Sequence, residues 1–239
     1  MFKIFKTLAF DLINMVLPAT CTVCGKVLSS NRVIVCENCY SELRKTTPEQ
    51  LEVFISRISN QKFDNVYIMF EFSELFQKLM YFFKYEGHQR IADYFAASLH
   101  ESINNTYDMV SFVPLHVTKQ RERGFNQSEE IAKSYCQKSG LHFSNQLLQR
   151  VKYTTSQTKL DRKKRLENIS NAFLVNEDIT NKSILIIDDV ITTGATLNEC
   201  AGVLKRAKCK KVDIVAMATP VNILQSNLET SEMDDLILI

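Results

Sequence analysis

The sequence predicts an α/β protein with a central, mostly parallel sheet, helices on both faces of that sheet, and a small cysteine-bearing module near its start. Short continuous apolar runs alternate with helix-like segments through the second half of the chain. Such runs are typical of parallel strands that are buried on both faces. Two cysteine pairs lie near the start, and 239 residues suffice for one sizeable core plus a small appendage.

Five regions are predicted along the chain. They are an N-terminal helix (residues 1–17), a four-cysteine module (18–45), a connector (46–62), an α/β domain (63–220) and a loosely held C-terminal tail (221–239). The first region predicts an amphipathic helix because its apolar residues recur at helical spacing until Pro18. The connector contains Pro48 and is expected to be partly helical.

The α/β domain is predicted from its alternating segments. Its strand-like runs are MVSFVPL, QLLQRV, AFLV, SILIIDDV and KVDIVAMATP. One predicted helix, SEEIAKSYCQKSG, has apolar residues at Ile131 and Tyr135 and ends at Gly140. A second, TLNECAGVLKRAK, places Leu197, Ala201 and Leu204 on one side.

Charge and hydropathy restrict the class of protein. The formal net charge of +2 argues against a globally basic nucleic-acid binder, but residues 116–165 hold twelve Lys or Arg against four acids. A local anionic partner is therefore expected there. An N-terminal signal peptide or lipoprotein signal is disfavoured, because Asp11 and Asn14 interrupt the apolar run and Thr20 fits a cleavage box poorly. No run reaches the ~18 apolar residues of a membrane span, so a cytoplasmic protein without a span is expected.

The cysteines near the start predict a zinc ribbon. Cys21, Cys24, Cys36 and Cys39 form the pattern C-x2-C-x11-C-x2-C. Two such knuckles can close a tetrahedral four-thiolate site, which suits structural Zn²⁺. Two disulfides or unrelated free thiols are the alternatives, and disulfides are disfavoured in a protein without an export signal. Cys136, Cys200 and Cys209 lie in or beside helical segments and are expected to be packing residues.

The stretch ILIIDDVITTGAT, residues 184–196, poses an electrostatic problem. Asp188 and Asp189 follow four aliphatic residues, at the end of a strand where both carboxylates are expected to turn toward a ligand. Adjacent carboxylates repel each other unless a cation or hydroxyl groups satisfy them, and a sugar diol or hydrated Mg²⁺ would do so.

The loop after the acid pair predicts an anion site. The hydroxyls of Thr192, Thr193 and Thr196 and the N–H groups of a helix start can surround a phosphate, and Gly194 permits a positive φ. Carboxylates for hydroxyls and a nest for phosphate describe a sugar-phosphate site. A buried strand followed by a threonine cap explains less of the pattern, and a receiver-type acid pair would not need the TTGAT string.

These thirteen residues resemble the phosphoribosyl-pyrophosphate (PRPP) motif of type I phosphoribosyltransferases. The resemblance implies that Asp188 and Asp189 engage the ribose hydroxyls and that PRPP binds together with Mg²⁺. The residues that it implies for the 5′-phosphate are Thr192, Thr193, Gly194, Ala195 and Thr196.

Upstream segments agree with this resemblance. FVPLHVTKQRERGFNQSEEIAK presents Lys119, Arg121 and Arg123, predicted in a loop before a helix, as donors for pyrophosphate. An ordinary solvated face is the alternative for these cations. The polar residues 152–168 stand where such enzymes carry a mobile catalytic loop.

The two cysteine pairs, FFKYEGHQRIADYF, RERGFNQ, TTSQTKLDRKKRLEN and the PRPP motif together resemble the ComF family. That family is associated with natural competence, so the resemblance implies a type I phosphoribosyltransferase fold and a role in DNA uptake. One hypothesis is phosphoribosyl transfer to an unknown acceptor, with catalytic residues unassigned. The alternative is a non-catalytic uptake factor that binds single-stranded DNA and keeps the PRPP site as a sensor or vestige. Single-stranded DNA and other competence proteins are the further partners implied.

Overall fold

The computed structural model describes residues 18–29, 34–58, 60–85, 90–152 and 171–220. The strands, in chain order, are β1 (Asn65–Glu71), β2 (Met109–Phe112), β3 (Leu148–Arg150), β4 (Phe173–Val175), β5 (Ser183–Val190) and β6 (Lys211–Thr219). The central sheet is parallel throughout and has the order β1-β6-β5-β2. Because parallel strands end at a common edge, the carboxyl ends of β1, β5 and β6 lie side by side.

Seven helices occur within the described ranges. They are α1 (Glu37–Ser41), α2 (Pro48–Ser56), α3 (Glu74–Tyr85), α4 (Arg90–Ser102), α5 (Val117–Arg123), α6 (Gln127–Ser139) and α7 (Ala195–Arg206). Helices α3, α4 and α6 share one core with Leu185 and Ile187, whereas α2 and α7 share the other with Ile184 and Ile186. Successive residues of β5 thus face opposite layers, and the predicted class of a parallel sheet covered on both faces is confirmed.

The helices predicted in the α/β domain are present. Asn126 caps α6 by accepting a hydrogen bond from the Ser128 N–H, and Gly140 ends the helix in the left-handed conformation. Helix α7 buries the three apolar residues that were predicted to share its inner side. Cys136, Cys200 and Cys209 are buried as well, which agrees with packing roles.

Strands β3 and β4 differ from the prediction in one respect. They form a separate antiparallel pair, in which Leu148 lies opposite Val175 and Arg150 lies opposite Phe173. Each strand has only three residues, and Leu174 is half exposed. A short pair with one solvated face suits antiparallel pairing, whereas the central parallel sheet requires burial on both faces.

The four-cysteine module and the connector attach to the edge of the sheet at β1. Lys45 forms an antiparallel bridge with Phe70, and the Glu71 N–H donates to the Arg44 carbonyl at 2.9 Å. The connector is partly helical, as predicted, because Thr47 and Gln50 form a capping box at the start of α2.

Several predicted segments lie outside the described residues. They are the N-terminal helix (1–17), the C-terminal tail (221–239) and all but the first residue of the segment 152–168. The limits assigned to the five regions remain predictions. Within the described ranges, every helix falls short of the length and hydropathy that a bilayer-spanning segment requires.

Candidate functional site at the carboxyl edge of the sheet

The acid pair lies within β5 itself, because the strand continues to Val190. The ladder to β6 persists through the pair, with Asp188 opposite Ala216. Val190 packs with the core of Leu185 and Ile187, although regular strand alternation would place it with Ile184 and Ile186, so the alternation does not continue unchanged past Ile187. The expectation that both carboxylates turn toward a ligand stays a prediction.

Asp188 accepts one hydrogen bond from the start of α6 and one from the backbone of β5. The Ser128 hydroxyl donates to Asp188 Oδ1 at 3.0 Å, and the Asp189 N–H donates to the same oxygen at 2.9 Å. Burial, followed by repulsion from Asp189, raises the pKa of Asp188 well above its ordinary value, and the two hydrogen bonds offset only part of this. A cation or a hydroxyl-rich ligand at this carboxyl would relieve the penalty.

Asp189 has a different partner, Lys84 from the last turn of α3. Their Nζ and Oδ2 atoms are 3.5 Å apart, and both side chains are mostly buried. Lys84 therefore provides the positive charge that an acid pair in a half-buried position requires. Sequence reasoning did not select this lysine, although the segment FFKYEG that contains it contributed to the family resemblance.

The loop after β5 has the features of an anion nest. Gly194 adopts φ +72° and occupies the N-cap position of α7. Because glycine has no side chain, the first N–H groups of this helix receive no side-chain hydrogen bond from the N-cap residue. The Ala195 N–H makes a long 3.4 Å hydrogen bond to Thr193 Oγ1. Thr192, Thr193, Ala195 and Thr196 are partly exposed, so the loop remains accessible to a ligand.

The predicted pyrophosphate loop is a helix in the structure. Lys119, Arg121 and Arg123 lie on α5, which His116 caps and Gly124 ends at φ +78°. The prediction of a loop was wrong, because these two terminal signals enclose a seven-residue turn of helix. Lys119 and Arg123 share one side at i, i+4 spacing and are partly buried, whereas Arg121 points elsewhere and is exposed.

Cations converge from three elements near the acid pair. Burial lowers the pKa of Lys119, and the neighbouring charges of Arg123, Arg150 and Lys84 lower it further. Arg150, from β3, packs over the Phe173 ring at 5.6 Å. Burial lowers its pKa too, against the opposing influence of Cys200 and Asp188. Repelling cations beside two carboxylates form a site that a polyanion would stabilise.

The predicted zinc ligands come together in the four-cysteine module. The Sγ atoms of Cys21, Cys24, Cys36 and Cys39 all lie within 4.8 Å of one another. Tetrahedral Zn–S bonds of about 2.3 Å imply Sγ separations of about 3.8 Å, and Cys24 and Cys36 are 3.7 Å apart. The donor set and its geometry therefore fit a closed zinc site.

The backbone of this module also favours thiolate at one cysteine. Burial acts to raise the pKa of Cys21, but N–H groups of Cys36, Cys24 and Val23 directed at the sulfur outweigh it and lower the pKa to about 6. Backbone amides that converge on a sulfur are the expected property of a knuckle that binds metal.

Comparison with known proteins supports the class of protein that this site suggests. Residues 136–233 match the family model described as "Phosphoribosyl transferase domain". The matched range contains the acid pair, the anion nest and Arg150, but not Lys84, Lys119, Arg123 or Ser128. The family match therefore provides no information about those four residues, whose positions come from the structure.

The chain is similar to curated proteins that are named for competence and for DNA utilization. It is 31% identical over 109 residues to "Competence protein F" of Haemophilus influenzae, covering 44% of this chain and 48% of that protein. It is 33% identical over 107 residues to "DNA utilization protein YhgH" of Salmonella typhi, covering 45% of this chain and 47% of that protein. It is 30% identical over 146 residues to "Competence protein ComFC" of Streptococcus pneumoniae, covering 60% of this chain and 63% of that protein. The chain thus spans about half the length of the first two relatives, and the predicted resemblance is confirmed.

Among solved structures, the chain resembles a hypoxanthine phosphoribosyltransferase from Staphylococcus aureus. The TM-score is 0.36 at 18% identity, over 60% of this chain and 69% of that one. Similarity at this level carries no information about the substrate.

Proposed function

We propose that this chain binds PRPP together with Mg²⁺ at the carboxyl edge of its sheet and acts in DNA uptake. The observation that carries the proposal is the convergence of three ligand-binding features at the end of β5. These are the acid pair, the uncapped start of α7 and the cations Lys84, Lys119 and Arg123. A sugar bearing a phosphate and a pyrophosphate presents the complementary groups.

Each part of the site has a proposed role. Asp188 and Asp189 accept hydrogen bonds from the ribose hydroxyls, and residues 192–196 bind the 5′-phosphate through their N–H groups and hydroxyls. Lys119 and Arg123 bind the pyrophosphate, whereas Arg121 faces solvent and has no role in binding. When bound, Mg²⁺ would neutralise part of the pyrophosphate charge, and the acid pair is the carboxylate set that suits it.

We further propose that the chain transfers the phosphoribosyl group to an acceptor. The acceptor's lone pair forms the new bond to the anomeric carbon, and the bond from that carbon to pyrophosphate breaks. Pyrophosphate leaves with the bonding electrons, and the acceptor's proton passes to solvent or to a base on the product. The cations of α3, α5 and β3 contribute by stabilising the charge that develops on the leaving group.

Calorimetric titration tests the binding proposal. PRPP with Mg²⁺ should bind to the wild-type protein, and Asp188→Ala combined with Asp189→Ala should abolish the heat of binding. Asp178→Ala provides a matched control, because this exposed acid precedes the opposite end of the same strand. Undiminished binding in the double variant would show that PRPP does not use the acid pair.

Pyrophosphate release tests the transfer proposal. Bases, amines and nucleic acids are supplied in turn with PRPP and Mg²⁺, and Lys119→Ala is expected to slow any release that occurs. A protein that binds PRPP but releases no pyrophosphate with any acceptor would support a sensing role over catalysis.

A second candidate function is single-stranded DNA binding without catalysis. The observation that favours it is an exposed stripe on α3. The rings of Tyr81 and Tyr85 are 5.1 Å apart and exposed, and Lys78 lies one turn earlier on the same stripe. Aromatic side chains beside cations can stack bases of a single strand.

Salt-dependent binding separates this candidate from the first. Affinity for single-stranded DNA should fall with salt, and Tyr81→Ala with Tyr85→Ala should weaken it while leaving PRPP binding intact. Charge reversal at residues 162–165, which lie outside the described residues, tests the basic segment separately. If neither set of changes affected DNA binding, neither surface would be the site.

A further inference from the structure

The connector packs directly against the loop that is proposed to bind phosphate. A Cβ atom placed on Gly194 would lie 3.1 Å from Cδ1 of Ile58 and 3.6 Å from Cζ of Phe54. Phe54 is fully buried in the core that α2 shares with α7. The backbone of the loop therefore rests on two side chains that precede the α/β domain in sequence.

A second set of contacts involves Asn198 in the first turn of α7. Its Oδ1 accepts a hydrogen bond from the Lys62 N–H at 2.8 Å, and its Nδ2 donates to the Asn60 carbonyl at 3.0 Å. Asn60 adopts φ +56°, a conformation that costs free energy in a residue other than glycine. The backbone thus turns here in the way that both hydrogen bonds require.

The same segment is anchored at its other end. The Thr46 N–H donates to the Met69 carbonyl at 3.2 Å, and Gln50 Nε2 donates to Glu71 Oε1 at 2.6 Å. The connector is therefore held to β1 before α2 and to α7 after it. These contacts at both ends allow it to transmit a constraint to the loop.

Among the described residues, the loop finds few hydrogen-bond partners that would determine its shape. The Ile191 N–H donates to the Ala218 carbonyl of β6, and the Ala195 N–H makes a long hydrogen bond to Thr193 Oγ1. A phosphate nest requires N–H groups that converge within a fraction of an ångström. The surface on which the loop packs must supply the remaining constraint.

We propose that the connector holds the phosphate-binding loop in its binding conformation. Ile58 and Asn198 act as positioning residues for residues 192–196. The proposal rests on the proposed function, because it assigns the loop to phosphate. It adds that affinity for phosphate depends on a segment that lies outside the loop and directly follows the four-cysteine module.

The experiment compares two substitutions of the same type on one segment. Ile58→Ala removes the contact with Gly194, whereas Ile55→Ala removes a similarly half-buried side chain of the same core. Ribose 5-phosphate binding is measured by calorimetry, and hydrogen exchange of the amides of residues 192–196 is measured in the free protein. Asn198→Asp, which keeps the acceptor for Lys62 and loses the donor to Asn60, forms the third variant.

Ile58→Ala should weaken ribose 5-phosphate binding at least about fivefold and speed amide exchange in the loop, and Asn198→Asp should act in the same direction. Ile55→Ala should change neither beyond about twofold, even if it lowers the melting temperature equally. Equal effects of the two isoleucine variants would overturn the proposal, because general destabilisation would then suffice. If the wild-type protein bound neither ribose 5-phosphate nor PRPP with Mg²⁺, the proposed function would fail, and the exchange data would still decide the positioning role.

Discussion

The ion pair between Lys84 and Asp189 is the contact whose energy can be predicted most directly. Replacing Lys84 by Met removes the cation and keeps most of the apolar stem. Asp189 then remains mostly buried beside Asp188 with its charge uncompensated. Both the stability of the fold and the charge balance of the site should change.

The magnitude follows from the distance and the burial of the pair. Nζ and Oδ2 are 3.5 Å apart, and the side chains are 16% and 20% exposed. At an effective dielectric constant of about 20, the Coulomb energy at this distance is about 5 kcal/mol before desolvation is subtracted. Exposed pairs yield about 0.2–1 kcal/mol, whereas breaking a fully buried pair costs about 3–5 kcal/mol. A coupling energy of about 2 kcal/mol is therefore expected.

Urea denaturation of a double-mutant cycle measures this coupling. The cycle comprises the wild-type protein, Lys84→Met, Asp189→Asn and the double variant. Lys78→Met is the control, because this lysine is exposed on the same helix and should change the free energy of unfolding by less than about 0.5 kcal/mol. A coupling energy below about 0.5 kcal/mol would refute the reasoning.

Three further predictions concern the acid pair, the cysteines and the phosphate loop. Asp188→Asn should raise the free energy of unfolding at neutral pH, since desolvation in the folded state raises the pKa of this half-buried carboxyl. Between the unfolded and folded pKa values the folded state binds more protons, so the gain should shrink as pH falls and vanish below about pH 4. Metal analysis should find one zinc per chain, lost in Cys39→Ala and kept in Cys136→Ala. Gly194→Ala should destabilise by about 1 kcal/mol more than Gly124→Ala, because both have positive φ but only the first meets a side chain.

Distinct outcomes would contradict each of these predictions. A stability gain from Asp188→Asn that is the same at every pH would show that its charge is not the cause. Zinc retained by Cys39→Ala would exclude a site closed by four thiolates. Equal losses in the two glycine variants, measured by urea denaturation, would mean that the contact at Gly194 is not tight.

The part of the site that lies on one continuous segment could be predicted from sequence. Strand β5, the loop and the start of α7 follow one another, and their apolar run, acid pair and threonines are local signals. The four-cysteine cluster could likewise be predicted, because the spacing of metal-binding cysteine pairs is a short-range pattern. The extent of β5 was less readily predicted, because the end of a strand depends on the neighbouring ladder, which here continues through the acid pair.

Residues supplied by other elements could not be predicted in this way. Lys84, Ser128 and Arg150 come from α3, α6 and β3, and each belongs to a residue type that is common on protein surfaces. Ser128 offered a weak signal, since it lies in the first turn of α6, the helix that follows Arg121 and Arg123. No local pattern distinguishes a lysine that meets Asp189 from one that meets water.

By itself, the sequence determined the parallel α/β class, the two cysteine pairs that come together and the pattern of acids and threonines at residues 184–196, because periodicity, spacing and residue type act over a few positions. Only the tertiary structure decided that Lys84 contacts Asp189 while Ser128 contacts Asp188, that Arg121 is exposed, and that the connector packs against Gly194. Those outcomes depend on packing between segments far apart in the chain, where side-chain burial and direction are settled by the whole core.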